Sequence, residues 1–230
     1  MAENIKIKFC GMKNEQDIEA CLHADYLGFI VGVPTSKRNI TLEQAKALVT
    51  RLKSKNKVSV AVTTDLSLLE TISDKVKPDI IQIHTQIQDI EAVQKILQKN
   101  NQRYALTIGC SDTEILNEEV LHHELATNSE YIIIDSIANK TIAGGSGKVR
   151  NYSKSADIIK NYKNLHFLLA GGLKSSNILS VLQGTGPFGI DVSSSIENNK
   201  MQKDKQLVTE LIKNIELYNQ GDYNVRKQNN

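Results

Sequence analysis

Residues 166–197 read HFLLAGGLKSSNILSVLQGTGPFGIDVSSSIE. An apolar run at His166–Leu169 ends in a glycine pair. A helical pattern, NILSVL, follows with Ser175 ahead of it as a cap residue, and a second apolar run at Gly189–Val192 ends in a serine-rich turn. Both runs are nearly continuous in apolar character, as expected when both faces of a parallel strand are covered. The stretch therefore reads as strand, helix, strand, with a polar turn after each strand.

The same unit recurs upstream. Further apolar runs lie at Ile5–Phe9, Tyr26–Val31, Val58–Val62, Ile80–Ile83, Tyr104–Ile108 and Tyr131–Ile134, which makes eight candidate strands. Between them lie helical patterns with cap residues, such as Thr41 opening LEQAKALVTRL and Asp65 opening LSLLETISDKV. Helix five, Thr113 to about Leu125, and helix six, about Ser153 to Tyr162, are drawn from periodicities that polar residues dilute. Eight strand–helix units in order, without a run of consecutive strands, predict one α/β domain folded as a (β/α)8 TIM barrel. An open doubly wound sheet is the alternative that the pattern leaves. At 230 residues the chain fits one such barrel. It is expected to occupy residues 1–218, with the polar segment 219–230 as a disordered tail.

Composition narrows the function classes. Lys and Arg number 28 against 26 Asp and Glu, so a net charge of +2 gives no global electrostatic reason to bind nucleic acid or an anionic membrane. No apolar run approaches the ~20 residues needed to span a bilayer, and the N-terminus lacks the apolar stretch of a secretory signal. A cytoplasmic protein is expected. Cys10, Cys21 and Cys110 are odd in number and lack metal-ligand spacing, so neither a disulfide framework nor a metal site is expected.

In a barrel of this kind the active site is built at the C-terminal ends of the strands. The polar residues there are Cys10, Ser36–Arg38, Thr63, Thr64, His84, Cys110, Asp135, Gly144–Lys148, Gly171, Gly172 and Ser193–Ser195. Two turns at the last two strand ends, AGGLKSSN at Ala170–Asn177 and DVSSSIE at Asp191–Glu197, suit an anion. Gly171 and Gly172 let the backbone approach it, and Ser193 and Ser194 add hydroxyl donors near a short helix start. A phosphorylated small molecule is the expected partner. GGSGK at Gly144–Lys148 lacks the spacing of a nucleotide-binding P-loop and reads as a loop over the site, with Gly144 and Gly145 near the ligand. A thiol at the barrel mouth could remove a proton from carbon, and an acid at Asp135 across the mouth could supply one. That pairing suits a proton-transfer isomerase.

These residues resemble a known family. KFCGMKNEQDIEACLHADYLGFI, from Lys8 to Ile30, is similar to the phosphoribosylanthranilate isomerase opening of KICG, helix, GAD and GFIF. SKR at Ser36–Arg38 resembles that family's SxR, IIQIH at Ile80–His84 its VQLHG, YIIIDS at Tyr131–Ser136 its LLDS, and GGSGK its GGTGK. LLAGGLKSSNI, GIDVSSSIE and KDKQLV resemble its LAGGL, GVDVSSGVE and KDxxK segments, in the family's order, over about residues 5 to 212.

The resemblance implies the Amadori rearrangement of N-(5-phosphoribosyl)anthranilate in tryptophan biosynthesis, without a cofactor or metal. Cys10 would be the general base and Asp135 the general acid. Arg38 would bind the anthranilate carboxylate, and phosphate would lie on Gly171, Gly172, Ser193 and Ser194, with His84 and Asp191 also against the substrate. A monomer or homodimer is expected. The chain departs from the family at Thr85, where a glycine is usual, at AVTT ending strand three, at Ser195 in the SSG turn, and at VRNYS from Val149. Other phosphosugar barrels, of the ribulose-phosphate epimerase or indole-glycerol-phosphate synthase kind, remain the runner-up, followed by a non-catalytic phosphosugar-binding barrel.

Overall fold

The computed structural model describes residues 4–111, 114–136 and 152–221. The eight apolar runs become β1 Lys6–Phe9, β2 Tyr26–Val31, β3 Val58–Thr63, β4 Ile80–Ile83, β5 Arg103–Cys110, β6 Ile132–Ser136, β7 Phe167–Ala170 and β8 Gly189–Val192. Each pairs in parallel with its neighbours in the chain. β1 then closes the sheet: Lys8 stands opposite Tyr26 of β2 on one side and Asp191 of β8 on the other. The closed parallel barrel replaces the open-sheet alternative.

Helices α1 Glu15–Ala20, α2 Leu42–Ser54, α3 Leu69–Thr71, α4 Ile90–Lys99, α5 Glu124–Thr127, α6 Ser153–Asn161, α7 Ile178–Thr185 and α8 Lys205–Asn219 alternate with the strands. α2 starts where expected, because Thr41 and Gln44 form a reciprocal capping box. Asp65 likewise accepts from the Ser67 amide, but the helix after it is short. A 3-10 turn at Leu66–Leu68 leads into α3, and a π turn at Ile72–Val76 ends at Lys77, whose φ is 55°. Pro78 follows and disfavours continued helix at Lys77. Among the described residues no helix is long and apolar enough to cross a membrane.

Helix five is corrected. Instead of one helix to Leu125, the described residues from 114 form a two-residue strand, Ile115–Leu116, antiparallel to β5, then a 3-10 turn Glu118–His122 and the short α5. Asn117 is the reason. It adopts a left-handed φ of 68° and is buried, its amide donates to the carbonyls of Thr85 and Thr107, and its Oδ1 accepts from the Ile87 N–H. Three ties to the strand-four loop and to β5 outweigh the helical propensity of the surrounding residues.

The core has two shells. Ile7, Phe9, Leu27, Phe29, Ile81 and Ile83 face the helices, whereas Cys10, Val60, Val62, Ile80, Tyr131, Ile133 and Leu168 pack inside the barrel. Strand periodicity sorts alternate residues into the two shells, so Lys8 on β1 falls on the inner side with Cys10. Fully burying each large outer side chain contributes about 1.5–3 kcal/mol. α8 runs to Asn219, whose Oδ1 accepts from the Ile5 N–H and fastens the last helix to the entry of β1. The remainder of the expected tail, from residue 222, lies outside the described residues, as do the start of helix five at Thr113 and residues 137–151, which include Gly144 and Gly145.

Candidate active site

At the C-terminal mouth of the barrel a cavity of about 410 Å3 gathers side chains from most of the strand ends. Its lining includes Cys10, Arg38, His84, Asp135, Gly171, Gly172, Asp191, Ser193 and Ser194. Residues up to 185 positions apart, Cys10 and Ser195, are thus brought to one site by barrel closure. Of the other strand-end candidates, Ser36, Thr64 and Ser195 also line it, whereas Thr63 is buried beside it and Cys110 ends β5 away from it.

Cys10 sits just past β1, 7% exposed. Its N–H donates to the Val192 carbonyl, and its own carbonyl accepts from Ser193 Oγ at 2.9 Å, so both sides of the residue are tied to β8 and the turn after it. The Ser193 hydroxyl is therefore engaged within the protein. Burial pushes the Cys10 thiol above its ordinary value; the Lys8 ammonium pulls it back, Asp191 adds to the upward push, and Lys203 opposes it.

Lys8 was not legible as a site residue, since a lysine within an apolar strand reads as surface. It is 0% exposed, and its Nζ donates to Asp191 Oδ1 at 2.9 Å. Burial alone would lower its pKa, but the charge of Asp191 and the thiol of Cys10 raise it above the ordinary lysine value. Space for this pair comes from Gly28 on β2. A Cβ there would lie 3.2 Å from Cys10 Sγ and 3.3 Å from Lys8 Nζ.

Arg38 projects from the loop after β2, where Ser36 Oγ accepts from its N–H. Its guanidinium grips Glu197 through two bonds, Nε to Oε1 at 2.7 Å and Nη2 to Oε2 at 2.6 Å. Of the five guanidinium N–H donors this leaves three for a ligand. Glu197 also accepts from Lys203 Nζ at 2.8 Å, and Lys203 reaches on to the Ser193 carbonyl. Burial would push the Glu197 carboxyl up, yet the hydrogen bonds from Arg38 and Lys203 outweigh it and hold the group below the usual glutamate value. The two cations against one carboxylate leave this cluster with a surplus positive charge beneath the mouth. Asp17 of α1 fixes the lysine in turn by accepting from the Lys203 N–H.

The glycine pair after β7 is built for close backbone approach. Gly171 and Gly172 have φ of 89° and 69°, left-handed values that side chains resist. Their carbonyls are engaged, Gly171 by Tyr152 Oη and Gly172 by the Asn177 amide. Asn177, rather than Ser175, also precedes α7. Across the next turn Ser194 opens a 3-10 turn, Ser194–Ile196, and is exposed.

On the far side Asp135 in β6 faces His84, with Nε2 3.8 Å from Oδ2, too long for a hydrogen bond. Gln82 of β4 lies between this pair and the barrel floor. It lines the cavity at 1% exposure, its Nε2 donates to Thr107 Oγ1, and its Oε1 has no donor among the described residues. A buried acceptor without a partner costs free energy. Gln82 stands in the IIQIH motif at Ile80–His84 but was given no role there, because a glutamine in an apolar run carries no chemistry until its surroundings are known. Among the described residues no group of three His, Cys, Asp or Glu is arranged to hold a metal ion.

A base-capable thiol, a carboxyl across from it, a half-free guanidinium and a glycine-lined pocket suit proton transfer on a small anionic molecule. Comparison with known proteins gives the family. The model described as N-(5'-phosphoribosyl)anthranilate (PRA) isomerase matches residues 7–214. The chain is 33% identical over 226 residues to the N-(5'-phosphoribosyl)anthranilate isomerase of Methanosarcina acetivorans, covering 91% of this chain and 92% of that protein. It is 29% identical over 219 residues to that of Leptospira interrogans, covering 93% and 95%. The phosphoribosyl anthranilate isomerase structure from Thermococcus kodakaraensis superposes with a TM-score of 0.74 at 25% identity, over 92% of this chain and 98% of that one. The chain belongs to the N-(5'-phosphoribosyl)anthranilate isomerase family.

Proposed function

We propose that the cavity converts N-(5-phosphoribosyl)anthranilate to 1-(2-carboxyphenylamino)-1-deoxyribulose 5-phosphate, the isomerase step of tryptophan biosynthesis. The observation that carries this reading is the presence of Cys10 and Asp135 on opposite walls of one cavity whose rim holds Arg38 and the two phosphate-suited turns. Asp135 protonates the ribose ring oxygen, the ring opens, and the anthranilate nitrogen supplies electrons to form an iminium. The Cys10 thiolate then takes the C2' proton to leave an enolamine, which tautomerises to the ketose.

Substrate binding follows from the donors left over. Arg38 offers its remaining N–H groups to the anthranilate carboxylate in a planar geometry that suits it. The amides of Gly171 and Gly172 and the Ser194 hydroxyl serve the phosphate, whereas Ser193 acts by holding the Cys10 carbonyl. Gln82 Oε1 accepts from a substrate hydroxyl, which removes the cost of leaving it unpaired. The resident side chains supply every proton transfer. We place the reaction in the cytoplasm, a reading supported by three free cysteines.

The test is to incubate freshly made N-(5-phosphoribosyl)anthranilate with the protein and identify the product by chromatography against the authentic ketose. Ketose formation supports the isomerase. A ligand that binds and survives unchanged would mark a non-catalytic phosphosugar-binding barrel instead.

A further inference from the structure

We propose that Lys8 is a positioning residue whose buried ammonium, anchored by Asp191, stabilises the thiolate that Cys10 must form to accept a proton. The proposal rests on the reading of Cys10 as the general base and says what makes that reading chemically workable. A thiol 7% exposed at the end of a barrel strand is a poor base by its surroundings, since burial favours the neutral form. Something in the wall must offset that, and the geometry points to one group.

Lysine is almost never fully buried without a partner. Lys8 is fully buried and has two neighbours, Asp191 Oδ1 at 2.9 Å and the thiol that converges with it over Gly28. A merely structural pair joining β1 to β8 would not need that second neighbour, and a buried ion pair is a weak way to stabilise a barrel when apolar residues fill the same space as well. The division of labour follows from sign. Asp191 keeps the ammonium charged against burial, and the ammonium then favours the thiolate. The other groups that face Cys10 are Lys203 before α8 and Arg38 after β2, both cationic, and the neutral phenol of Tyr131 ahead of β6. Lys8 outweighs Asp191 in its effect on the thiol, so the pair as a whole works toward the base.

The experiment is the pH profile of Cys10 alkylation by iodoacetamide in the full-length protein, read on the Cys10 peptide by mass spectrometry, for wild type and Lys8→Met. The expected result is a profile displaced to higher pH, with Cys10 at least about tenfold slower to react at neutral pH. The isomerase kcat should fall alongside and recover in part as pH rises. A profile superimposable on wild type would overturn the proposal. Should Lys8→Met fail to fold, Lys8→Met with Asp191→Asn removes both charges at nearly constant volume. Its profile is expected to move in the same direction by a smaller amount, and no movement again overturns the idea. Cys10→Ala separates the two claims: full turnover in that variant sinks Cys10 as the base, whatever the Lys8 profile shows.

Discussion

Arg38 and Glu197 are joined by two parallel hydrogen bonds of 2.7 and 2.6 Å across 159 positions of sequence, from the loop after β2 to the turn after β8. Because Glu197 also takes Lys203, one carboxylate aims the guanidinium and seats a buried lysine. Glu197→Gln should therefore cost stability and binding together. Urea denaturation at neutral pH should show a loss of roughly 3 kcal/mol, the lower end for breaking a buried pair. The KM for N-(5-phosphoribosyl)anthranilate should rise more than kcat falls, since Arg38 loses its aim and not its charge.

The same carboxylate makes a prediction about acid. Its folded pKa is held below the unfolded glutamate value, so the stability it adds is complete above that unfolded value and is lost as pH falls through the folded one. Wild type should lose stability more steeply than Glu197→Gln as pH drops below about 5. Parallel acid limbs in the two proteins would mean the group adds no pH-dependent stability.

Gln82→Leu should leave the barrel folded, because it deletes a buried acceptor that has no donor among the described residues. Thr107 loses its partner in exchange, so stability should change by no more than about 1–2 kcal/mol. Turnover should drop by about tenfold or more in kcat/KM if a substrate hydroxyl uses that oxygen. Steady-state kinetics with unchanged kcat/KM would remove Gln82 from the site.

Asn117→Ala should cost about 3 kcal/mol in denaturant, because the carbonyls of Thr85 and Thr107 and the N–H of Ile87 lose their shared partner. A value under about 0.5 kcal/mol would show that the residues after β5 do not depend on it.

Asn117 also shows where sequence reading stopped. The eight strands were legible because each is a short apolar run covered on both faces, and Thr41 announced α2 as a cap residue, by local chemistry alone. The conformation of Asn117 is set by three partners that only barrel closure supplies. The site divides in the same way. Cys10, Asp135, Arg38, His84, the glycine pair and the serines after β8 were legible because polar residues at strand ends of a barrel face the mouth, and these line one cavity. Lys8, Glu197 and Lys203 were not, since their meaning lies in pairings such as Lys8 with Asp191, 183 positions apart. The Ser193 hydroxyl, expected on a phosphate, is engaged by the Cys10 carbonyl for the same reason. Gly144 and Gly145, expected over the ligand, lie outside the described residues.

The most direct test of the central claim is the rate of N-(5-phosphoribosyl)anthranilate conversion, followed by loss of anthranilate fluorescence, for wild type, Cys10→Ala and Asp135→Asn. Turnover by wild type that falls by about a hundredfold or more in each variant, with circular dichroism unchanged, is the predicted result. Near wild-type turnover in either variant, or none in folded wild type, would contradict the assignment of Cys10 as base and Asp135 as acid.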